Sequence, residues 1–279
     1  MTTLVFLVVL AAAVMHASWN ALVKHGGDPV FRLAAAALTG TVCALPLLPF
    51  VAVPAAAAWP WLLGSVVIHV GYYITLAWGY RSGDLSVVYP VARGVAPPLV
   101  AVAALAVAGE RLAPSGIVAV ALICCGILAL VLLGGAWRER PGAVVSALGC
   151  GATIAAYTVC DGQGVRAAGD ALGYIAWLHL LDGVIFGGAV LWLRRGRLRA
   201  DIRRGLGPAV LGGMLSMAAY GMVIWAMATT PMALVSALRE TSVILAAAIG
   251  TGLMGEPFGR RRIASAALVA LGVVALRLA

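Results

Sequence analysis

The sequence predicts an all-α integral membrane protein in which ten transmembrane helices form two inverted five-helix repeats. Composition, the spacing of apolar runs and an internal repeat all point there. Of 279 residues, 63% are hydrophobic and 10% charged, with a mean hydropathy of +1.05, a balance outside that of soluble domains. A spanning helix takes roughly 20 mostly apolar residues, so ten use about 200 and leave only short connections, without room for a separate soluble domain. Runs this long exclude the alternating strands of an outer-membrane barrel.

Glycine, proline and polar breaks delimit the spans. They fall near Thr3 to Lys24, Val30 to Phe50, Trp59 to Tyr80, Leu85 to Ala108, Pro114 to Leu133, Gly142 to Cys160, Ala171 to Leu193, Leu206 to Thr229, Met232 to Met254 and Arg262 to Leu278. Leu4 to Val14 has the length of a signal-peptide core, but no Lys or Arg precedes it, so an uncleaved first span is expected. The connection Arg194 to Gly205 carries six arginines and cannot lie in hydrocarbon. Of the 19 Lys and Arg, 14 fall at the odd-numbered connections and three on the opposite side. The positive-inside rule then puts the odd connections in the cytoplasm and both termini outside.

The formal charge of +9 is thus a topology signal, and no nucleic-acid partner is expected. Cys43, Cys124, Cys125, Cys150 and Cys160 all sit in or beside apolar runs, which implies neither a disulfide framework nor a metal site. No cofactor and no ATP-binding loop of the GxxxxGK[ST] type is indicated.

A shift of 146 residues lays Ala77 to Leu130 over Val223 to Leu276 without a gap, with 11 of 54 positions identical. Gly109-Glu110 falls on Gly255-Glu256, Gly126 on Gly272, and Arg93 on Arg239. These polar and glycine matches mark a duplication with halves 1–136 and 137–279. Five spans per half is an odd number, so the halves cross the membrane in opposite senses, an arrangement common in secondary transporters.

The run Gly83-Asp-Leu-Ser-Val-Val-Tyr-Pro-Val-Ala-Arg-Gly-Val-Ala-Pro97, followed by Gly109-Glu-Arg-Leu112, carries a family resemblance. So does its counterpart Ala233-Leu-Val-Ser-Ala-Leu-Arg-Glu-Thr-Ser242 with Gly255-Glu-Pro257. Together they resemble the drug/metabolite transporter superfamily, in its EamA-like branch of two five-helix repeats. His16-Ala-Ser-Trp-Asn20 resembles a subgroup found beside phosphonate-utilisation genes. Members of the superfamily move metabolites, amino acids, nucleotide sugars or drugs, so the resemblance implies a transporter and leaves the solute open. The first span lacks the buried glutamate of the small multidrug relatives, which argues against their cation export.

Ionisable groups inside a span cost about 2.5–3.5 kcal/mol on insertion scales and tend to face a cavity or a partner. Arg93 lies within the fourth span, and the repeat sets Arg239 at the matching depth of the ninth. Two such guanidiniums converging at mid-membrane would clamp a carboxylate or phosphonate; alternatively each neutralises an acidic neighbour such as Glu240 or Asp182. Adjacent helical residues do not face one another, so Glu240 should pair elsewhere, with Arg93 for example, or titrate as a coupling site. Pro90, Pro97 and Pro98 predict a broken fourth helix beside Arg93.

His16, Asn20 and Lys24 recur every fourth residue and form one stripe on the first span. His16 is a proton carrier or a structural histidine, and Lys24 an interface anchor. His69, Tyr72 and Tyr73 share a face, as do Tyr89 and Arg93, and each set supplies ligand contacts or packing. Tyr157 with Asp161, and His179 with Asp182, are close enough in helical spacing to interact, the latter pair as a structural contact or a proton relay. Gly183-Val-Ile-Phe-Gly187 permits close helix approach, within the chain or across a homodimer. The two Gly-Glu pairs should position helix ends.

The function expected is a secondary transporter in the cytoplasmic (inner) membrane. It would move a small anionic or zwitterionic metabolite by alternating access, through a cavity lined by His16, Asn20, Tyr72, Tyr89, Arg93, Arg239 and Glu240. Proton coupling would fall to His16, Glu240, His179 or Asp182. Its partners would be that small molecule and the lipid bilayer. A flippase for a lipid-linked substrate shares the fold and differs by a sideways opening. A membrane-embedded enzyme would need clustered acids or a Cys/His metal set, and no HExxH pattern is present.

Overall fold

A computed structural model describes residues 1–24, 28–82, 85–132, 141–196, 198–245 and 260–278. These residues form ten helices: α1 (Thr3–Lys24), α2 (Pro29–Ala44), α3 (Trp59–Ser82), α4 (Leu85–Ala108), α5 (Pro114–Leu132), α6 (Pro141–Ala167), α7 (Ala171–Leu193), α8 (Leu198–Met227), α9 (Met232–Arg239) and α10 (Arg260–Leu278). No strand occurs among the described residues. Seven are long and apolar enough to cross a membrane, and shorter apolar stretches cover Pro114–Ala129 and Ile263–Leu278. Large apolar side chains such as Val67, 71% exposed, and Val102, 68% exposed, lie on the outside of the bundle. Water would not tolerate such a surface, whereas lipid does.

Local chemistry sets the helix ends. Asp28 caps α2 by accepting from the amides of Val30 at 2.9 Å and Phe31 at 3.2 Å, with Pro29 at the first helical position. α2 then tightens into a 3-10 segment, Leu45–Phe50, that contains Pro46 and Pro49. Asp170 caps α7 through the amides of Leu172 and Gly173, both at 3.1 Å.

Three departures from the sequence expectations matter for the site. The sixth helix runs past Cys160 to Ala167, because Asp161 is buried and hydrogen-bonded and no longer acts as a polar stop. The eighth begins at Leu198, inside the arginine-rich connection, since arginine is a good helix former. The fourth helix is continuous through Pro90, Pro97 and Pro98; a proline removes one donor, which a membrane bundle accommodates without breaking the helix.

The interruption falls instead on the ninth span. α9 ends at Arg239, Glu240 and Thr241 form a turn, and helix resumes over 242–245. The chain tightens there: the Thr241 amide donates to Leu238 O at 3.2 Å and the Val243 amide to Glu240 O at 3.0 Å. The expected end of that span at Met254 lies outside the described residues, as do Gly255-Glu256 and the 136/137 boundary.

Helix packing follows a pattern that survives adding five to each helix number. α5 packs on α10 and α2 on α7, while α3 on α6 has its counterpart in α8 on α1. The α5/α10 crossing is reciprocal in detail. A Cβ on Gly126 would stand 2.7 Å from Val269 Cγ2 and 3.0 Å from Ser265 O. A Cβ on Gly272 would stand 2.7 Å from Ile123 Cγ1 and 3.0 Å from Ala119 O. The shift that superimposes the two glycines also carries Ala119 to Ser265 and Ile123 to Val269, so this contact is self-complementary, like that of a two-fold interface.

Candidate functional site

The turn that ends α9 presents Glu240 toward α4. Arg93 Nε lies 2.5 Å from Glu240 Oε2, with the side chains 3% and 0% exposed. Arg239 Nη2 reaches Glu240 Oε1 at 3.4 Å, a contact between neighbours that the helical ending permits. Arg93 Nη2 also donates to Ser242 Oγ at 3.3 Å. One carboxylate thus sits between two guanidiniums, and Arg239 Nε has no hydrogen-bond partner among the described residues.

Aromatic rings from three other helices extend this cluster. Arg239 lies over the Tyr220 ring at 5.9 Å. Tyr220 meets Tyr157 edge-on at 5.6 Å, and Tyr157 stacks on His69 at 4.2 Å and touches Tyr72 at 5.5 Å. His16 of α1 and Tyr157 of α6 are within electrostatic range of both Arg93 and Arg239. His16 Nδ1 accepts from Trp19 Nε1 at 3.0 Å, which fixes Nε2 as the protonated nitrogen of the neutral ring. A second proton would have to displace Trp19. The Asn20 amide donates to His16 O at 2.8 Å. His16, Asn20, Tyr72 and Tyr220 all remain partly accessible.

The remaining sequence candidates separate. Tyr89 lies one turn before Arg93 on α4, but its side chain, like that of Lys24, is outside the described part. His179 and Asp182 lie on α7, and no hydrogen bond joins them. Asp182 Oδ2 instead accepts from Tyr73 OH at 2.6 Å, and Tyr73 stacks on Phe186 at 4.1 Å. Tyr72 and Tyr73 therefore diverge, one toward the arginines and one toward α7. Asp161 does not pair with Tyr157; it accepts from Tyr174 OH at 3.0 Å and from Tyr220 OH. No group of three or more His, Cys, Asp or Glu that could hold a metal occurs among the described residues.

Tyr220 was not singled out by the sequence, where it is one aromatic among many in an apolar span. Its hydroxyl was the available signal, since a buried phenol needs an acceptor.

Two further contacts tie the bundle together. Glu110, just after the left-handed Gly109 (φ 67°), accepts from the Met232 amide at 2.9 Å and pairs with Arg166 at 2.6 Å. Arg166 in turn donates to Met227 O at 2.9 Å and Thr230 O at 3.0 Å. The first Gly-Glu pair thus positions the start of α9. The GxxxG pattern turns out to form a π turn, Gly183–Gly187, whose glycines face Ala34, Ala37, Leu38 and Thr41 of α2. Close approach occurs within the chain.

Apolar spanning helices around a buried charged and aromatic centre make this a multi-pass membrane protein. The profile of the EamA-like transporter family matches residues 142–278, and through it the chain belongs to the drug/metabolite transporter superfamily. No curated protein matches the chain. Among solved structures, one described as "Crystal structure of protein" matches with a TM-score of 0.73 and 14% identity, over 100% of this chain and 98% of that one. At that identity the likeness concerns the fold.

Proposed function

We propose that this transporter carries a small anionic or zwitterionic metabolite across the cytoplasmic membrane and binds it at Arg93, Arg239 and Glu240. The observation that carries the reading is Arg239, 2% exposed, with an Nε donor that has no partner among the described residues. Setting two buried guanidiniums against one carboxylate is expensive and leaves a formal single positive charge. A carboxylate or phosphonate completes that balance and accepts the forked donors. The amino group of a zwitterion would meet Glu240 and the tyrosine faces.

Alternating access then arises from two inverted halves, 1–136 and 137–279, rocking about this centre. The self-complementary α5/α10 crossing supports that division, and so does a family match that lies within the second half.

The test is a thermal-shift screen of the purified protein against amino acids, phosphonates and organic acids, because a ligand of the native state raises its melting temperature. An anion should stabilise the wild type and lose its effect in Arg239→Ala. An equal shift in both proteins, or none with any anion, sinks the assignment.

A lipid-linked substrate is the second reading. It is favoured by an apolar groove of about 890 Å³ along α4 and α5, which ends at Glu110 and Arg111. Stabilisation by lipid-linked anions but not by their soluble headgroups would select it.

A further inference from the structure

Asp182 stands where the α-helical part of α7 gives way to the π turn, and it is 6% exposed. One carboxylate oxygen accepts from Tyr73. The other, Oδ1, has no partner among the described residues, and neither has Nε2 of His179, one turn earlier on the same helix. Both side chains line a small cavity of about 40 Å³, together with Trp19 of α1, Gly40 of α2, Tyr73 of α3 and Ser216 of α8. A water needs about 10–15 Å³ of such space and two to four polar partners. Asp182 and His179, each with an unpartnered polar atom, and Ser216 are the polar residues of α7 and α8 that line it.

No Lys or Arg is among the cavity's lining residues. From α1, the Trp19 indole N–H is turned to His16. From α2, the Thr41 hydroxyl is bound to His179 O and Leu180 O at 3.1 and 3.2 Å. From α3, Tyr73 donates to Asp182, and His69 acts on His179 at longer range. Ser216 is the polar group from α8. A carboxylate oxygen left unpaired in an apolar interior is costly unless a proton or water completes it.

We propose that Asp182, Tyr73 and His179 enclose a proton-binding site, distinct from the arginine cluster. The proton arrives on water held in the cavity and moves between Asp182 Oδ1 and His179 Nε2. Its task as the coupling site rests on the transporter reading above. The route for that coupling is a packed row of rings from Tyr73 to Tyr72 at 5.4 Å, then Tyr157, then Tyr220 beneath Arg239.

Infrared difference spectroscopy of the purified protein, titrated across neutral pH, tests the site without a substrate. Wild type should show a carboxylic-acid C=O band that titrates. Asp182→Asn should lose it, whereas Glu240→Gln and Asp161→Asn keep it. A titrating band as strong in Asp182→Asn as in wild type, or none in wild type, overturns the proposal. Should Asp182→Asn fail to fold, Tyr73→Phe decides: a displaced midpoint supports the site, and an unmoved one overturns it. Arg239→Ala should retain the band whether or not it responds to anions, so failure of this site and failure of the anion site are read separately.

Discussion

Arg93 of α4 and Glu240, the residue that closes α9, form a 2.5 Å ion pair in the interior of the bundle, where neither side chain is more than 3% exposed. Arg239 shares the same carboxylate at 3.4 Å. The longer contact is the weaker partner, and the difference can be measured. Breaking a buried pair by removing one member costs about 3–5 kcal/mol, because the other charge is stranded. Double-mutant cycles on thermal or denaturant unfolding should therefore give a larger coupling for Arg93 with Glu240 than for Arg239 with Glu240. Equal couplings would show that both guanidiniums hold the carboxylate alike.

Asp161 is held by the hydroxyls of Tyr174 and Tyr220. Tyr174→Phe and Tyr220→Phe should each destabilise the protein by about 1–3 kcal/mol, the range for a buried acceptor losing a donor. The double variant should cost less than the sum, since Asp161 can then take up a proton. Additive losses in a denaturant titration would contradict that.

Glu110 caps α9 through the Met232 amide while holding Arg166. Glu110→Ala should cost about 1 kcal/mol, as expected for losing a capping side chain. Glu110→Gln keeps an acceptor for the amide and should lose less. An Ala variant as stable as wild type would show the cap to be dispensable.

Asp28 lies outside the spans and is paired with Arg194 at 2.9 Å. Burial pushes its pKa upward, but hydrogen bonds from Arg194 and from the Phe31 and Val30 amides outweigh it and hold the carboxyl below its usual range. A carboxyl depressed in the folded state adds stability above its unfolded pKa and loses it as pH falls through the folded value. Melting temperature should thus drop below about pH 4, and Asp28→Asn should flatten that drop. An identical acid profile in the variant would remove Asp28 as its cause.

The spans were legible because apolar length is a strong signal, and Arg93 and Arg239 because a guanidinium in a span is rare. The break at Glu240 was hidden: no glycine or proline marks it, and the three prolines of α4 pointed to the wrong helix. Asp161 sits at the edge of an apolar run, and its two phenolic partners come from other helices, α7 and α8, which spacing along its own helix does not reveal. The cavity beside Asp182 needed three dimensions, since five helices contribute to its lining.

At the α5/α10 crossing two backbones nearly touch over Gly126 and Gly272, which leaves no thickness for one helix to slide along the other. A branched side chain at either glycine would therefore force the two helices apart, at a place remote from the buried arginines.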